Sequence, residues 1–592
     1  MEPDAVFTLA VLVLLTAALA LEAARTEILV FGALLLFLLT GILSPGEAFD
    51  GFSNQGLLAV AFLYVVAAAL EATGVINGLA TLVLGKRRGP LPMKLTRFLF
   101  PVAGASAFLN NTPIVAMMIP VVKRWCRKHN LSASKFLLPL SHAAILGGMC
   151  TLIGTSTNLV VHGLLLDHGH PGFSFFELGR VGIPLSIVGI GLIVLVLHRW
   201  LPDRKDAIVQ LGETTREFVI EVKVNRHYKG IGKTVEGAGL RHLQGLFLFQ
   251  IERGGKVLAP IEPSEKILVH DRLFFTGIPA TIVELQKQKG LDVIREFDYD
   301  LKNYDSDTLK TYEVVVSESS PLAGKTVRDS GFRGRYNAAI LAIHRSGARI
   351  QKKIGDVSLE PGDTLLIIGP KDFHERWYHS KDFYLVSTSD TVASKPRLQI
   401  ILSLLITVTM IGVVTFELLP MAAAAGTAAV LLIVSRCINA SDAFSSVDWP
   451  TLLVIASAFG IAEAVEQTGL AGIIAGKVAA LASPYGIFGL IAATYFATVA
   501  YTELITNNAA AALMFPLGLS IASQANLDVM PFAYAVVLGA STGFAMPIGY
   551  QTNLMVYGPG GYRFTDYLKV GIPLDIVIGL TGSGMIYWLF FG

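Results

Sequence analysis

The chain has 592 residues, of which 53% are hydrophobic and 16% are charged, and its formal net charge is +2. Soluble globular proteins carry about 25% charged residues, so this composition excludes an ordinary soluble enzyme, a disordered chain and a collagen-like chain. A net charge this close to zero gives no indication of nucleic-acid binding.

Charged residues are concentrated in the middle of the chain. Of the 92 Lys, Arg, Asp and Glu residues, 57 lie between positions 201 and 400. This distribution indicates a membrane protein interrupted by a water-soluble insert. The sequence has no nucleophile–base arrangement, phosphate loop or metal-ligand spacing, so we do not expect an enzyme or a covalent cofactor. Cys126, Cys150 and Cys437 are expected to be small apolar residues on helices.

Apolar stretches that approach the length of a membrane span precede and follow the insert. In the first half they cover residues 6–21, 28–43, 56–72, 136–163 and 181–197; in the second half they cover residues 398–416, 421–434, 451–464, 532–557 and 570–589. The first stretch lacks the basic start of a signal peptide and another span follows at once, so it is expected to be retained. The pattern predicts a polytopic α-helical membrane protein.

Two basic loops flank one further apolar segment, residues 98–122. The loops contain Lys86, Arg87, Arg88, Lys94 and Arg97, and then Lys123, Arg124, Arg127, Lys128 and Lys135. Cytoplasmic loops are enriched in Lys and Arg, so both are expected inside. A segment between two cytoplasmic loops must enter the membrane and return, and Asn110-Asn111-Thr112-Pro113 suits its break. The alternative is a single span with a basic flank outside. The first topology places the N-terminus outside and the insert in the cytoplasm.

Several motifs recur in the same order in the two halves, which predicts an internal repeat. Asn110-Asn111 matches Asn507-Asn508, Thr157-Asn158 matches Thr552-Asn553, Gly182-Ile183-Pro184 matches Gly571-Ile572-Pro573, and Ala48-Phe49 matches Ala443-Phe444. Each half is expected to contain five spans and a re-entrant hairpin. An odd number of crossings makes the second copy inverted, as in many secondary transporters. The predicted fold is therefore two inverted membrane repeats, residues 1–204 and 396–592, with small α/β domains inserted between them.

Four polar breaks interrupt the apolar segments: Asn110–Thr112, residues 154–158, residues 506–508 and residues 547–553. Irregular backbone at membrane depth requires burial in protein or a watery cavity. Opened helix N-termini suit an anion, while freed carbonyls suit a cation such as sodium. The alternative is that these Asn and Thr residues only cap half-helices or join helices.

Acidic residues within the apolar segments are few: Glu71, Glu463, Glu466 and Glu503. Glu503 precedes the second Asn-Asn break, where it could bind a proton or cation. It could equally lie near the outer surface of the hairpin.

The insert contains two copies of one β-rich plan, residues 207–290 and 305–388. Strand patterns at Phe218–Val222 and Tyr312–Val316 are each followed by Gly-Lys-Thr-Val, and each copy closes on an Asp followed by an apolar strand. Both copies resemble the TrkA C-terminal (RCK-C) family, most specifically in Leu322-Ala323-Gly324-Lys325-Thr326-Val327 and residues 359–365. That resemblance implies dimeric regulatory modules that sense ligands, in some members nucleotides.

The membrane part resembles the divalent anion:sodium symporter family of the ion-transporter superfamily, which carries Ser-Asn-Thr at both hairpin tips. Here the tips read Asn110-Asn111-Thr112 and Thr506-Asn507-Asn508. By resemblance, the anion would contact Asn111, Thr112, Thr157, Asn507, Asn508 and Thr552. Sodium would be held by side chains and carbonyls at Asn110, Thr155, Asn158, Thr506 and Asn553.

The sequence thus predicts a secondary active transporter of a divalent anion, either sulfate or a dicarboxylate. The expectations include sodium-coupled symport by an elevator mechanism, a homodimer in the inner cell membrane, and regulation by the cytoplasmic TrkA-C-like pair. Rival interpretations are a cation/proton antiporter or metalloid exporter of the same superfamily, a TrkA-C-gated ion channel, and a sensor that binds without transporting.

Overall fold

A computed structural model describes most of the chain: residues 2–21, 23–74, 89–129, 131–204, 219–240, 246–254, 256–258, 261, 264–277, 289–294, 309–317, 320–345, 348–350, 352, 354–377, 380, 382–387, 397–547 and 549–592. Lys86, Arg87, Arg88 and Phe218, which the sequence analysis used, lie outside the described residues.

Apolar helices make up the chain before the insert. They are α1 (Pro3–Ala20), α2 (Thr26–Leu39), α3 (Pro45–Phe49), α4 (Gln55–Thr73), α5 (Leu91–Ser106), α6 (Asn111–Lys128), α7 (Leu137–Gly148), α8 (Ser156–Asp167) and α9 (Gly179–Leu195).

The insert contributes ten described strands and two short helices. In chain order they are β1 (Val219–Val224), β2 (Leu246–Arg253), β3 (Lys256–Leu258), β4 (Arg272–Gly277), β5 (Leu291–Ile294), β6 (Leu309–Val316), α10 (Phe332–Tyr336), β7 (Ala339–Arg345), β8 (Ala348–Arg349), β9 (Thr364–Pro370), α11 (Phe373–Trp377) and β10 (Phe383–Ser387).

Apolar helices resume after the insert. They are α12 (Arg397–Thr415), α13 (Met421–Val434), α14 (Ala440–Ser446), α15 (Trp449–Gln467), α16 (Leu470–Ala482), α17 (Gly486–Thr502), α18 (Asn507–Gln524), α19 (Met530–Ser541), α20 (Gln551–Tyr557) and α21 (Phe564–Phe591).

Four helical segments of the described chain are long and apolar enough to cross a membrane: Pro45–Thr73, Arg397–Thr415, Trp449–Gln467 and Phe564–Phe591. Seven shorter apolar helices accompany them, including α1, α2, α9, α13 and α16. Of these, α16 was not predicted. The predicted stretches 136–163 and 532–557 are each two helices joined by irregular backbone. The protein is mostly helical, as expected of a multi-pass membrane transporter.

The helix packing ties distant parts of the membrane region together. Helix α4 packs on α13, α2 on α15, α5 on α7, and α17 on α19. Contacts between the halves include α8 with α18 and α20 with α6. These contacts place the helix ends that carry the predicted site residues against helices of the opposite half. Cys126, Cys150 and Cys437 are buried thiols within this packing.

The insert forms two five-stranded antiparallel sheets of the same strand order. The first runs β3-β2-β4-β1-β5, and the second, read from β8, runs β8-β7-β9-β6-β10. The first sheet extends past the boundary predicted at 290, because β5 pairs with β1. Each sheet encloses its own apolar core.

Each unit also contains an arginine held by a buried aspartate. Arg253 binds Asp271 through two hydrogen bonds of 2.9 Å, and Arg345 binds Asp363 through two of 2.7 Å. These hydrogen bonds raise the pKa of both arginines. The equivalent pairs support the prediction that the two units follow one plan.

The second unit of the insert rests directly on the membrane helices. Lys123 of α6 places its Nζ atom 2.5 and 2.7 Å from the two carboxylate oxygens of Glu313 on β6, and both side chains are about 5% exposed. Val315 belongs to the apolar core of the membrane region. Gly362 lies against Leu554 of α20. The insert thereby contacts two of the helices that carry predicted site residues.

Candidate functional site

The predicted breaks are present as four interruptions between helices. The first tip (residues 107–112) joins α5 to α6, and the second tip (residues 503–508) joins α17 to α18. The first loop (residues 149–157) joins α7 to α8, and the second loop (residues 542–552) joins α19 to α20; each of the four includes the first two residues of the following helix. Thr155 and Tyr550, which precede α8 and α20, both adopt extended backbone, with φ of −145° and −139°.

The first tip is joined to the second loop through Asn111. Its side-chain oxygen accepts a hydrogen bond from Ser106 Oγ (2.6 Å), and its Nδ2 donates to the Tyr550 hydroxyl (2.6 Å). Thr112 Oγ1 donates to Gln551 Oε1 (3.0 Å). Both Asn111 and Thr112 therefore contact the opposite half of the chain, at the start of α20.

The second tip is joined in the same way to the first loop. Ser156 Oγ donates to Asn508 Oδ1 (2.9 Å), and Thr157 Oγ1 lies 3.5 Å from the same oxygen. Asn507 Nδ2 donates to Thr157 Oγ1 (3.1 Å). In the described part of the chain, each tip is thus hydrogen-bonded to the loop of the other half.

Tyr550 connects these two groups of contacts. Its buried hydroxyl accepts a hydrogen bond from Asn111 and lies 3.2 Å from the Thr155 hydroxyl. One phenol therefore joins the first tip to the first loop. The sequence analysis did not single out Tyr550, although it lies in the predicted break at residues 547–553.

Asn158 and Asn553 close their loops with matching hydrogen bonds. Asn158 Nδ2 donates to the carbonyls of Gly148 (3.1 Å) and Thr151 (2.7 Å). Asn553 Nδ2 donates to the carbonyls of Gly543 (2.7 Å) and Met546 (3.1 Å). These hydrogen bonds hold the irregular backbone of each loop in a compact conformation. This is a structural role of the kind that the capping alternative describes.

The side-chain oxygens of Asn158 and Asn553 have different surroundings. Asn553 Oδ1 lies 2.7 Å from Ser141 Oγ, which is also 2.9 Å from Thr552 Oγ1. Asn158 Oδ1 is fully buried and has no hydrogen-bond partner among the described residues. A buried acceptor without a donor is costly unless a ligand meets it. Ser141, which contacts both Thr552 and Asn553, is a further polar side chain of this group that the sequence analysis did not single out.

Asn110 and Thr506, the other residues predicted to hold sodium, occupy the tips themselves. Asn110 lines a small, partly open pocket together with Ser156, Tyr64 and Thr407. Thr506 is partly buried, and its Oγ1 has no partner among the described side chains and backbone. Glu503 lies one turn before Asn507, and its Oε1 accepts from the Ala545 N–H (2.9 Å) rather than joining the amides.

The site presents backbone and amide groups rather than cationic side chains. The hydrogen-bond partners found for Asn111, Asn507 and Asn508 in the described chain are Ser, Thr, Tyr and backbone groups. Helices α6, α8 and α18 begin within this group of side chains. Helix N-termini carry partial positive charge and unpaired N–H groups, so the arrangement can bind an anion without Lys or Arg.

Gly148 packs closely against the side chain of Asn111, so a substitution at Gly148 tests whether Asn111 binds the anion. A Cβ at this position would lie 2.6 Å from Asn111 Oδ1 and 3.0 Å from its Nδ2. We expect Gly148→Ala to displace Asn111 and weaken substrate binding, because overpacking a filled interior costs about 1–3 kcal/mol. The measurement is anion binding to the purified protein.

Gly104→Ala is the matched control for Gly148→Ala. Gly104 lies on α5, the helix that leads to the same tip, and a Cβ there meets nothing within 4 Å. It should bind the anion as the unmodified protein does. Unchanged binding by both variants would contradict the placement of Asn111 in the site.

Comparison with known proteins agrees with a transport function. The family model described as "Citrate transporter" (CitMHS) matches residues 9–539. The chain is 37% identical over 564 residues to a "Putative sulfur deprivation response regulator" of Chlamydomonas reinhardtii, covering 94% of this chain and 96% of that protein. It is 27% identical to the "Sodium/sulfate cotransporter 1" of the same organism, over 90% and 84% of the two chains.

A bacterial relative matches this chain over its whole length. The "Uncharacterized transporter YfbS" of Escherichia coli is 28% identical over 611 residues, covering all of both chains. The family match covers most of this chain, including both tips and the insert. The chain therefore belongs to the CitMHS citrate transporter family.

Proposed function

We propose that this protein is a sodium-coupled secondary transporter of a divalent inorganic anion, with sulfate as its substrate. The anion binds where the two tips meet the opposite loops, among Asn111, Thr112, Thr157, Asn507, Asn508 and Thr552. The carrying observation is that α6, α8 and α18 all begin inside one hydrogen-bonded group of neutral amides and hydroxyls. Such a site favours a small, multiply charged anion.

Sodium coupling is supported by unpartnered oxygens beside this group. Asn158 Oδ1 and Thr506 Oγ1 are neutral acceptor atoms without protein donors in the described residues. Neutral oxygens suit a small, hard cation. A cation there lowers the cost of placing an anion at membrane depth. Two relatives of this chain are named as sodium/sulfate cotransporters, which agrees with sodium coupling.

The two halves are proposed to be inverted repeats, as in the divalent anion:sodium symporters. The matching amide contacts of Asn158 and Asn553 support this. Inverted repeats allow a site at their junction to open to either side in turn. We propose an elevator movement in a homodimer as the form of this exchange.

The insert is proposed to be a cytoplasmic TrkA-C-like pair that regulates transport, with a nucleotide as a candidate ligand. Its position supports regulation. Glu313 holds α6, which begins at Asn111, and Gly362 lies against α20, which contains Thr552 and Asn553. A change in the second unit would therefore act on both halves of the anion site.

Uptake into proteoliposomes tests the proposed function. Purified full-length protein should accumulate radiolabelled sulfate under an inward sodium gradient, and replacing sodium with choline should remove this uptake. Succinate and citrate are measured in parallel, because the family model is that of a citrate transporter. Protein-free vesicles provide the background. If none of the three anions is taken up under any gradient, the proposal is wrong.

The rival interpretations predict other results in the same vesicles. An antiporter would move protons against sodium without an anion. A channel would give unsaturable electrical flux, and a sensor would bind sulfate without accumulating it.

A further inference from the structure

The end of α8 is bound to two helices that do not carry the predicted anion site. Asn54, which precedes α4, donates from Nδ2 to Asp167 Oδ2 (2.5 Å) and to the carbonyl of Gly163 (3.3 Å). His168, directly after α8, places Nε2 3.0 Å from Oε2 of Glu466, near the end of α15. The predicted topology puts these contacts on the outer side of the membrane.

The helix packing divides the membrane region into two groups. We call α2, α4, α12, α13 and α15 the frame, because they pack on one another. We call α5–α9 and α17–α21 the site bundle, because they pack on one another and contain both tips and both loops. The contacts of Asn54 and His168 join the site bundle to the frame. They must break in the proposed elevator movement, in which the site bundle slides along the frame.

Both ring nitrogens of His168 face acceptors. Nδ1 lies 2.8 Å from the carbonyl oxygen of Leu164, which can only accept, and Nε2 faces the Glu466 carboxyl group. A neutral imidazole donates from one nitrogen only, so both contacts require the imidazolium form when Glu466 is ionised. Transfer of the proton to Glu466 would leave it within the pair. The contact therefore holds one proton that a separated, neutral His168 and an ionised Glu466 do not hold.

The surroundings of His168 favour this proton. The charged groups that face the pair in the described chain are acidic: Glu463 of α15, Asp167 of α8, and Asp50 beside Asp167. Helix α18 contributes the ring of Phe515, whose centroid lies 5.5 Å from that of His168. Helices α18 and α19, which pack on α8, carry no charged residue, and that of α4 lies at its opposite end. The hydrogen bond to Glu466 raises the pKa of His168 above its ordinary value of about 6.5.

A basic and an acidic residue recur at the equivalent positions of the proposed repeat. At the spacing that relates Thr157 to Thr552, His168 corresponds to Arg563 and Glu466 corresponds to Glu71. Arginine stays charged at all physiological pH values, whereas histidine changes its charge near neutral pH. Of these two basic positions, only the one at His168 can respond to pH.

We propose that His168 and Glu466 form a proton-sensitive latch, which holds the site bundle against the frame and slows transport when the outer medium is acidic. The inference rests on the proposed function for the movement and on the contacts of His168 for the latch. Below about pH 6.5 His168 is protonated whether the latch is closed or open, so the stabilisation is complete there. It is lost as the pH rises through the raised pKa of the latched His168.

Distances between spin labels on the full-length protein in lipid test the latch without requiring transport. Leu166→Cys of the site bundle and Phe416→Cys of the frame provide exposed sites, while the native cysteines are buried. A second distance should gain population between about pH 5.5 and about pH 8.5, on either side of the ordinary His pKa. The pair is partly exposed, so we expect about a two- to fivefold change in the ratio of the two populations.

Variants of the pair separate the proton from the packing. His168→Arg keeps a permanent charge and should hold the first distance at both pH values. His168→Gln and Glu466→Gln should show the second distance at both. His170→Gln, two residues further along the same segment, is the control and should respond to pH as the unmodified protein does. Sulfate uptake should follow the same order, lowest in His168→Arg and independent of outer pH in the three latch variants.

The outcomes separate the latch from the proposed function. A distance distribution that does not change with pH in the unmodified protein overturns the latch. A pH response that survives in His168→Gln does so as well, because another group would then bind the proton. The expected distances without uptake of any anion would overturn the transport proposal and leave the latch standing.

Discussion

Asn508→Ala is expected to reduce sulfate uptake in proteoliposomes to the background of protein-free vesicles, and Asn111→Ala is expected to do the same. Each amide joins a tip to the opposite loop, so truncation removes a substrate contact and releases Ser156 or Tyr550. A hydrogen bond to a charged group such as the anion contributes about 1.5–3 kcal/mol. Its loss corresponds to roughly a 10- to 150-fold loss of affinity.

The control for these amides is Asn439→Ala, at the exposed start of α14, where the side chain only meets Asp442. It should transport normally. The site variants should unfold at nearly the same temperature as the unmodified protein. Collapse of the fold in both of them would favour the capping alternative, in which the amides only hold the helix breaks together.

Removing either partner of the Lys123–Glu313 pair is expected to release the second unit of the insert from the membrane helices. Each side chain is almost fully buried, so Lys123→Met or Glu313→Gln leaves an uncompensated group and costs about 3–5 kcal/mol. The double variant should regain most of this loss. Thermal unfolding and limited proteolysis of the insert measure the effect, and uptake should fall in the single variants because α6 carries Asn111.

The exposed pair Arg328–Asp356, at 2.6 Å in the same unit, is the matched control. Both side chains are more than half exposed, and such surface pairs contribute about 0–1 kcal/mol. Equal effects of the buried and exposed pairs would show that the insert is held by other contacts. A normal proteolysis pattern combined with reduced uptake would show that the pair affects transport without holding the second unit in place.

The sequence predicted the site residues where polar side chains interrupt an apolar segment. Asn111, Asn158, Asn508 and Asn553 stood out because amides are rare in apolar helices, and all four lie at helix breaks. Alternating strand patterns likewise predicted the two sheets of the insert. In each case the signal lies in neighbouring residues and needs no knowledge of tertiary contacts.

Other features arise only when distant segments meet. Tyr550 is one aromatic residue among many, and its role depends on Asn111 and Thr155, which come from the opposite half. Lys123 likewise gains its significance from Glu313. No spacing in the sequence marks these pairs. Helix α16 (Leu470–Ala482) was not predicted, and its apolar run contains Lys477.

The most direct test is a cryo-EM structure of the full-length protein in lipid with saturating concentrations of the anion that it takes up. The account predicts density for that anion between Asn111 of the first tip and Asn508 of the second, within hydrogen-bonding distance of both. Anion density elsewhere, with these two amides still bound only to Tyr550 and Ser156, would contradict it.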